Sequence, residues 1–296
     1  MTDSVDESGV PAVAVVVPTY NRAASLERLL SAVESQAPVA GGFEVIVVDD
    51  GSTDDTTGVI GRHPSVRALR QQNRGPAVAR NVGWRSSMAP LVVFTDDDTV
   101  PSQTWLAELV DAFNSSGCDA LGGAVKPLTL TAASRFVEID GLVNHSRLAD
   151  GSVRYLITAN LAIRKTALVA VGGFDEQFPR AAGEDTDLSW RMQTAGFRLG
   201  ITERGMVQHE HPTTWRGVMN IFARHGRHRR TLIAVHHEES LAHPSQWRRL
   251  DPRVRYQRYR AQGVRPARAV HYVLVRYVGL FVVAVSGRVA RRMSES

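Results

Sequence analysis

Between residues 13 and 113 the chain alternates short apolar runs with stretches whose apolar positions recur at helical spacing. Residues 13–17 are a β-rich run ended by Pro18, and 44–48, 66–69 and 91–94 follow as a second buried strand, a weaker third and a fourth. Residues 25–35 set Leu26, Leu29, Leu30 and Val33 on one helical face. Residues 75–87 open at a glycine and carry Ala77, Val78, Ala79, Val82 and Trp84, and 102–113 form a further helix. Such alternation predicts an α/β domain with a mostly parallel, doubly wound sheet and flanking helices. Ligands of such sheets sit beyond the carboxyl ends of the strands.

Those ends are acidic. The fourth strand runs into Phe94-Thr95-Asp96-Asp97-Asp98, and the second into Val48-Asp49-Asp50-Gly51-Ser52. Consecutive carboxylates repel one another, which disfavours a plain solvated turn and suits a hard divalent cation. Two acidic ends on one edge of a parallel sheet describe a site.

The pattern changes after residue 120. Residues 126–155 read as polar and loop-rich, 157–163 as an apolar run around Asn160, and Gly172-Gly173-Phe174-Asp175 as a turn. The run Gly183-Glu184-Asp185-Thr186-Asp187-Leu188-Ser189-Trp190-Arg191-Met192 starts acidic and continues at helical spacing; the helix dipole explains part of that acidity. Beyond residue 211 the chain is rich in Arg and His, and 269–286 are mostly apolar, with Arg276 near the centre. A spanning helix would carry that arginine at a cost of about 2.5–3.5 kcal/mol, so a helix lying at a membrane interface is favoured, with a helix packed on the protein body as its rival.

With 296 residues, 43% of them apolar, the chain can bury one large domain plus an extension. Residues 1–211 hold 18 basic against 26 acidic residues, whereas 212–296 hold 17 arginines against four acids, so the net charge of +5 hides an acidic body and a basic tail. That asymmetry points to an anionic surface as a partner. A single cysteine, Cys118, fits a reducing compartment, and residues 1–9 do not read as a secretory signal, so a cytoplasmic protein, peripheral on the inner face of the membrane, is expected.

The ordered set of motifs resembles the family 2 glycosyltransferases: Val17-Pro18-Thr19-Tyr20-Asn21-Arg22, Val48-Asp49-Asp50-Gly51-Ser52-Thr53-Asp54, Asn73-Arg74-Gly75 with Ala79-Arg80-Asn81, the Asp96-Asp97-Asp98 metal motif, and the two motifs at 172–175 and 183–191. The resemblance covers roughly residues 13–211. It implies a Rossmann-like GT-A fold, with 11–120 as the nucleotide-sugar half and 121–211 as the acceptor half. A flexible 1–10 would precede it and a basic, mainly helical region, 212–296, would follow.

By the same resemblance, Pro18, Thr19, Tyr20 and Arg22 would frame the nucleotide, and Asp50 would accept from a base imide N–H, which fits uracil or thymine. Asp49 would serve the neighbouring edge or cap the next turn. Asn73, Gly75 and Arg80 would border nucleoside and diphosphate, with Asp96 and Asp97 beside them. Asp98, with His209 (His211 its rival), would hold Mg²⁺ or Mn²⁺ bridging the diphosphate. Asp185 would be the general base of an inverting transfer, and Asn160, Phe174, Glu184, Trp190 and Arg191 would line the acceptor side. The processive members' Gln-x-x-Arg-Trp string is matched only by Gln246-Trp247-Arg248-Arg249-Leu250, far from Asp185 and without the final Trp, so a non-processive enzyme is expected.

The expected partners are a nucleoside-diphosphate sugar, of UDP or dTDP type, and a hydroxyl acceptor, lipid-linked or on a cell-envelope glycan. Two other classes compete. A catalytically inactive binding protein with a nucleic-acid- or membrane-binding tail would be free to lose Asp50, Asp98 or Asp185, and all three are present. The tail also lacks a stacking platform for single strands, so no nucleic acid is expected. A sugar nucleotidyltransferase would carry a Gly-rich loop where Val17-Pro18-Thr19-Tyr20 stands.

Overall fold

The computed structural model describes residues 9–148, 150–178, 183–236 and 251–294; most of the segment expected to be a flexible N-terminus, and the 246–250 string, lie outside them. In chain order the first elements are β1 (Val13–Thr19), α1 (Ala23–Glu34), β2 (Phe43–Asp49), α2 (Thr56–Gly61), β3 (Val66–Arg70), α3 (Pro76–Ser86), β4 (Leu91–Thr95), β5 (Thr99–Pro101), α4 (Trp105–Ser116), β6 (Ala120–Gly122) and β7 (Val125–Pro127). There follow α5 (Ala132–Asp140), β8 (Ser146–Arg147), β9 (Val153–Tyr155), β10 (Asn160–Arg164), α6 (Lys165–Val171), α7 (Glu184–Thr194), β11 (Leu199–Ile201), β12 (Val207–His209), α8 (Trp215–His236), α9 (Pro252–Ala261) and α10 (Pro266–Ser294).

Seven strands make one sheet in the order β11-β6-β10-β4-β1-β2-β3. It is parallel except that β10 runs antiparallel to both β4 and β6. All seven residues of β1 are buried, as a strand covered on both faces requires. The strand order reverses at β1, with β2 and β3 on one side and β4 on the other. The β1–β4 ladder stops at Val16↔Phe94, while the β1–β2 ladder continues to Thr19↔Asp49. The ends of β1 and β4 therefore flank a topological switch point, where ligands of such sheets bind.

A second sheet, β5-β12-β7, carries the turn after β4 onward: His209 pairs with Thr99, next to Asp98. This short sheet was not foreseen from the sequence, because strands of three residues leave almost no periodicity to detect.

The chain divides into two compact units, one comprising residues up to Leu128 with Asn144–Glu210, the other Thr129–Val143 with His211 onward. The first holds both sheets. The second is helical, built of α5, α8, α9 and α10 around the buried rings of Phe136, Phe222, Tyr259 and Tyr272. Its first helix corrects the expectation of a loop at 126–155. Thr131 and Ser134 form a reciprocal cap, the Thr131 hydroxyl accepting from the Ser134 N–H at 3.1 Å and the Ser134 hydroxyl from the Thr131 N–H at 2.8 Å. Behind it Ala133, Phe136 and Val137 are buried at helical spacing. The close approach of α8 and α10 needs Gly279, where a Cβ atom would lie 2.3 Å from the Phe222 ring.

Within this unit Asp140, at the end of α5, is wholly buried and gathers three donors. Its Oδ1 accepts from Arg255 Nη1 at 3.1 Å and from the Tyr259 hydroxyl at 2.8 Å, and its Oδ2 from Arg276 Nη1 at 2.6 Å. The arginine that interrupts the apolar run thus points inward to a carboxylate. Burial and the Asp140 charge push the Tyr259 hydroxyl far above its usual range, so it stays a donor.

Candidate active site

The turn after β4 is tight: the Thr99 N–H and hydroxyl both donate to the Asp96 carbonyl, at 3.2 and 2.9 Å. It sends three successive carboxylates in three directions. Asp96 accepts from Arg80 Nη2 at 2.7 Å, and Asp97 from the Thr19 hydroxyl at 2.8 Å. Asp98 Oδ2 accepts from Arg22 Nη1 at 2.6 Å, and its Oδ1 lies 3.1 Å from His209 Nε2. Thr19 and Arg22 come from the end of β1, and His209 from β12, so three segments remote in sequence meet at the switch point.

The electrostatics divide the triplet. Burial, then the charge of Asp98, push the Asp97 carboxyl up to about 7. Burial would raise Asp98 as well, but the His209 and Arg22 contacts outweigh it and hold that carboxyl well below its ordinary range. The same contact raises His209 against the opposing effect of its own burial. One ligand atom from each of Asp96, Asp98 and His209 falls within 4.8 Å of the others. Two carboxylate oxygens and an imidazole nitrogen suit Mn²⁺, and the two carboxylates alone suit Mg²⁺, so the residues fit a divalent ion of the kind the motif implies. His211, the rival to His209, belongs to the helical unit.

The turns after β1 and β2 are laced together by Asn21, which has a left-handed φ of 52°. Its Oδ1 accepts from the Thr53 N–H at 2.7 Å, and its own N–H donates to the Ser52 hydroxyl at 2.9 Å. Asn tolerates this conformation better than most residues; the residue stood inside a recognised motif without a role. Pro18 is buried in β1, whereas the Tyr20 side chain is exposed. Asp49 caps its own turn, accepting from the Ser52 N–H at 2.8 Å and from Arg70 Nη1 at 2.8 Å. Asp50 secures the next loop: it accepts from Gln71 Nε2 at 2.7 Å and from the Arg74 and Gly75 N–H groups, both at 2.8 Å. Three of its roughly four lone-pair positions are thereby taken. Asn73 sits exposed on that loop, and Gly75, with φ of 93°, turns the chain into α3 in a conformation that excludes a side chain.

Arg80, on α3, is the hub linking this edge to α7. It is 3% exposed, and while Nη2 holds Asp96, Nη1 donates to Glu184 Oε1 at 3.0 Å. It also lies over the Phe174 ring, 5.7 Å from its centroid. Asp185 follows Glu184 in the first turn of α7 and accepts from the Thr186 N–H at 2.7 Å. Burial first, and then the Glu184 charge, push the Asp185 carboxyl up to about 7, against the pull of Arg80.

Several residues expected on the acceptor side make bonds within the frame. Asn160 is 0% exposed; its Nδ2 donates to the Ala124 and Gly205 carbonyls, at 2.9 and 2.7 Å, and its Oδ1 accepts from Trp105 Nε1 at 2.9 Å. Such a side chain is a joint between β10, α4 and the loops at Ala124 and Gly205, with both of its N–H donors taken. Phe174 is buried edge-on against Phe94, and Arg191 is spent on Asp187 and on the Val171 and Gly173 carbonyls. Trp190 Nε1 donates to the Arg154 carbonyl at 3.2 Å. Asn81, given no role from the sequence, locks the 172–175 turn to α3, donating to the Phe174 carbonyl at 2.8 Å and accepting from its N–H at 2.9 Å.

The Asn160 joint gives a direct test. Asn160→Ala would strand the Trp105 indole N–H and two buried carbonyls, at about 1–3 kcal/mol for a buried group left unpaired. Denaturant unfolding should show that loss with an unchanged m-value; a shift below about 0.5 kcal/mol, the range of a neutral surface change, would contradict the joint.

Comparison with known proteins gives the chain a lineage. The family described as glycosyl transferase family 2 matches residues 14–166, and glycosyl transferase family group 2 matches 91–291. A pre-mycofactocin glycosyltransferase of Mycobacterium tuberculosis is 32% identical over 69% of this chain and 44% of its own length. Glycosyltransferase AglE of Haloferax volcanii is 30% identical over 65% of this chain and 64% of its own. The chain thus spans about half to two-thirds of these relatives. Among solved structures, the mannosyltransferase PcManGT of Pyrobaculum calidifontis, in complex with GDP-Man and Mn²⁺, superposes with a TM-score of 0.58 at 21% identity, covering 97% of this chain and 75% of that one. S. aureus TarS 1-349 does so at 0.54 and 18%, covering 72% and 64%. The two share the fold of this chain, a GT-A architecture with a mixed central sheet and a helical C-terminal region. With the motif order, the sheet topology and the matching sequences in agreement, this chain belongs to the family 2 glycosyltransferases.

Proposed function

We propose that the chain carries out a metal-dependent, inverting and non-processive transfer of one sugar from a nucleoside-diphosphate sugar to an acceptor hydroxyl. The observation that carries this reading is the meeting of Asp96, Asp98 and His209 at the switch point, with Arg80 and Glu184 connecting them to Asp185. Asp96, Asp98 and His209 would hold a divalent cation, Mg²⁺ or Mn²⁺, whose charge stabilises a leaving diphosphate. Asp98 enters that role already ionised, and Arg22 neutralises it meanwhile. Asp185 takes the proton from the acceptor hydroxyl as the acceptor oxygen bonds to the anomeric carbon, and the bond from that carbon to the diphosphate oxygen breaks, its electron pair leaving with the nucleoside diphosphate. Attack from the face opposite the leaving group inverts the configuration.

On the donor side, Asp50 keeps one of its roughly four lone-pair positions, and we assign it to the imide N–H of uracil or thymine, hence a UDP or dTDP donor. The exposed Tyr20, Arg22 and Asn73 border the same edge and would complete that contact. The acceptor is proposed to be a saccharide hydroxyl carried on a lipid or envelope glycan.

Thermal-shift titration with UDP-, dTDP- and GDP-sugars, each with Mn²⁺ and with a chelator, tests donor and ion together. A shift for a uridine or thymidine nucleotide that disappears with chelator is expected. A shift indifferent to chelator would remove the metal from the reading, and a preference for GDP would remove the UDP or dTDP donor from it.

A further inference from the structure

We infer that the exposed face of α10 is a docking surface for an anionic phospholipid bilayer, on which the helix lies in the plane of the interface. Val270, Leu274, Val278, Phe281 and Val285 are 51, 60, 55, 69 and 41% exposed. Their spacing of three and four residues places them on one side of a helix, where they form a continuous apolar stripe. Ordinary surfaces scatter their exposed apolar residues singly; five in line mark a place where something binds.

The opposite side of the same helix is occupied. Ala269, Tyr272 and Val275 are buried in the core of the helical unit, and Arg276 is turned inward onto Asp140. That inward turn matters twice. It removes the only charged residue between 269 and 286 from the exposed side, and it leaves the helix with a protein-covered back. A helix crossing a bilayer alone would meet lipid all round; this one offers lipid a single face, even though residues 266–286 reach a mean hydropathy of 1.8 and are long enough to span.

Charge selects the bilayer over another protein. Arg265 and Arg268 are exposed where the helix begins, and with Arg135 they line a cleft at that end. Arg253, Arg258 and Arg260 are exposed on α9. The whole segment 212–296 carries 17 arginines and four acids. Arginines at the head of a helix that carries an apolar stripe suit headgroup phosphates above an acyl layer, each contributing attraction near an anionic leaflet. The inference stands apart from the proposed sugar chemistry, since none of these residues belongs to the site around Asp98 and Asp185.

The test is flotation of the full chain with phosphatidylcholine vesicles and with vesicles containing phosphatidylglycerol, beside the variant Leu274→Glu/Phe281→Glu. Both substitutions fall on exposed positions and should leave thermal unfolding unchanged. The wild type should float with the anionic vesicles, at least tenfold less with neutral ones, and come off in alkaline carbonate; the variant should stay in the dense fraction. Failure of the wild type to float, or flotation of the variant, would overturn the docking face. Carbonate-resistant binding would overturn the in-plane placement. A wild-type dimer in sedimentation, lost in the variant while flotation persists, would assign the stripe to a second copy instead.

Discussion

Asp185→Asn should lower turnover by about 10²–10⁴-fold, the scale set by removal of a positioned base. That corresponds to about 3–5 kcal/mol of transition-state stabilisation. The exchange is close to isosteric, and the new side chain keeps an oxygen to accept from the Thr186 N–H as Asp185 Oδ1 now does at 2.7 Å. The start of α7 therefore has no reason to unravel, and the Asp96–Arg80–Glu184 connection is left in place. Nucleotide-sugar affinity should accordingly survive while the chemical step is lost. The pH dependence gives an independent reading. With its carboxyl pushed up to about 7, Asp185 is increasingly protonated as pH falls through that value, and a protonated acid cannot take the hydroxyl proton. Wild-type turnover should fall on the acid side of about pH 7, and the residual rate of the variant should lack that limb. Turnover near the wild-type level, or an unaltered acid limb in the variant, would take Asp185 out of the mechanism.

The largest expected effect on stability lies in the helical unit. Asp140→Asn leaves Arg255 and Arg276, both largely buried, facing each other without their common anion. Breaking a buried pair from one side costs about 3–5 kcal/mol, because a charge remains behind without compensation. Arg276→Met should cost less, since Asp140 keeps Arg255 and the Tyr259 hydroxyl and the new side chain fills similar space. The order of the two is the sharper test. Hydrogen exchange on α8 and α10 would register both, and a milder loss for Asp140→Asn than for Arg276→Met would show that the carboxylate is not the organising group.

Much of this was readable before any coordinates. The strands β1, β2 and β4 are visible because a strand buried on both faces must be nearly all apolar, β3 shows only weakly because its two arginines and exposed positions break the run, and the aspartates stand out because nothing in a strand end explains them. Asp98 and His209, remote in the chain, do come together. What stayed hidden was pairing. A sequence shows that Asn160, Phe174 and Arg191 sit in distinctive motifs, but not that their polar atoms or faces are already spent on backbone carbonyls, an indole and another ring. Position Asp140 had no signal at all, since its partners lie more than a hundred residues away. The same gap hides where Arg276 points: hydropathy averages over a helix, whereas the side to which one arginine turns is decided by what packs there.

Strand β12 lies between β5 and β7 in their three-stranded sheet, so each neighbour depends on it for its ladder. The aspartates leave the ribosome long before Val207–His209 does. Until that last strand threads between the two waiting ones, the acidic turn lacks its imidazole, and a nascent chain holds only part of the Asp96–Asp98–His209 cluster. Closure over such sequence separation is slow by nature. The proposed site should be among the last parts of its unit to mature, and a chain cut short of Val207 should keep its main sheet yet lose the nucleotide-sugar binding proposed for it.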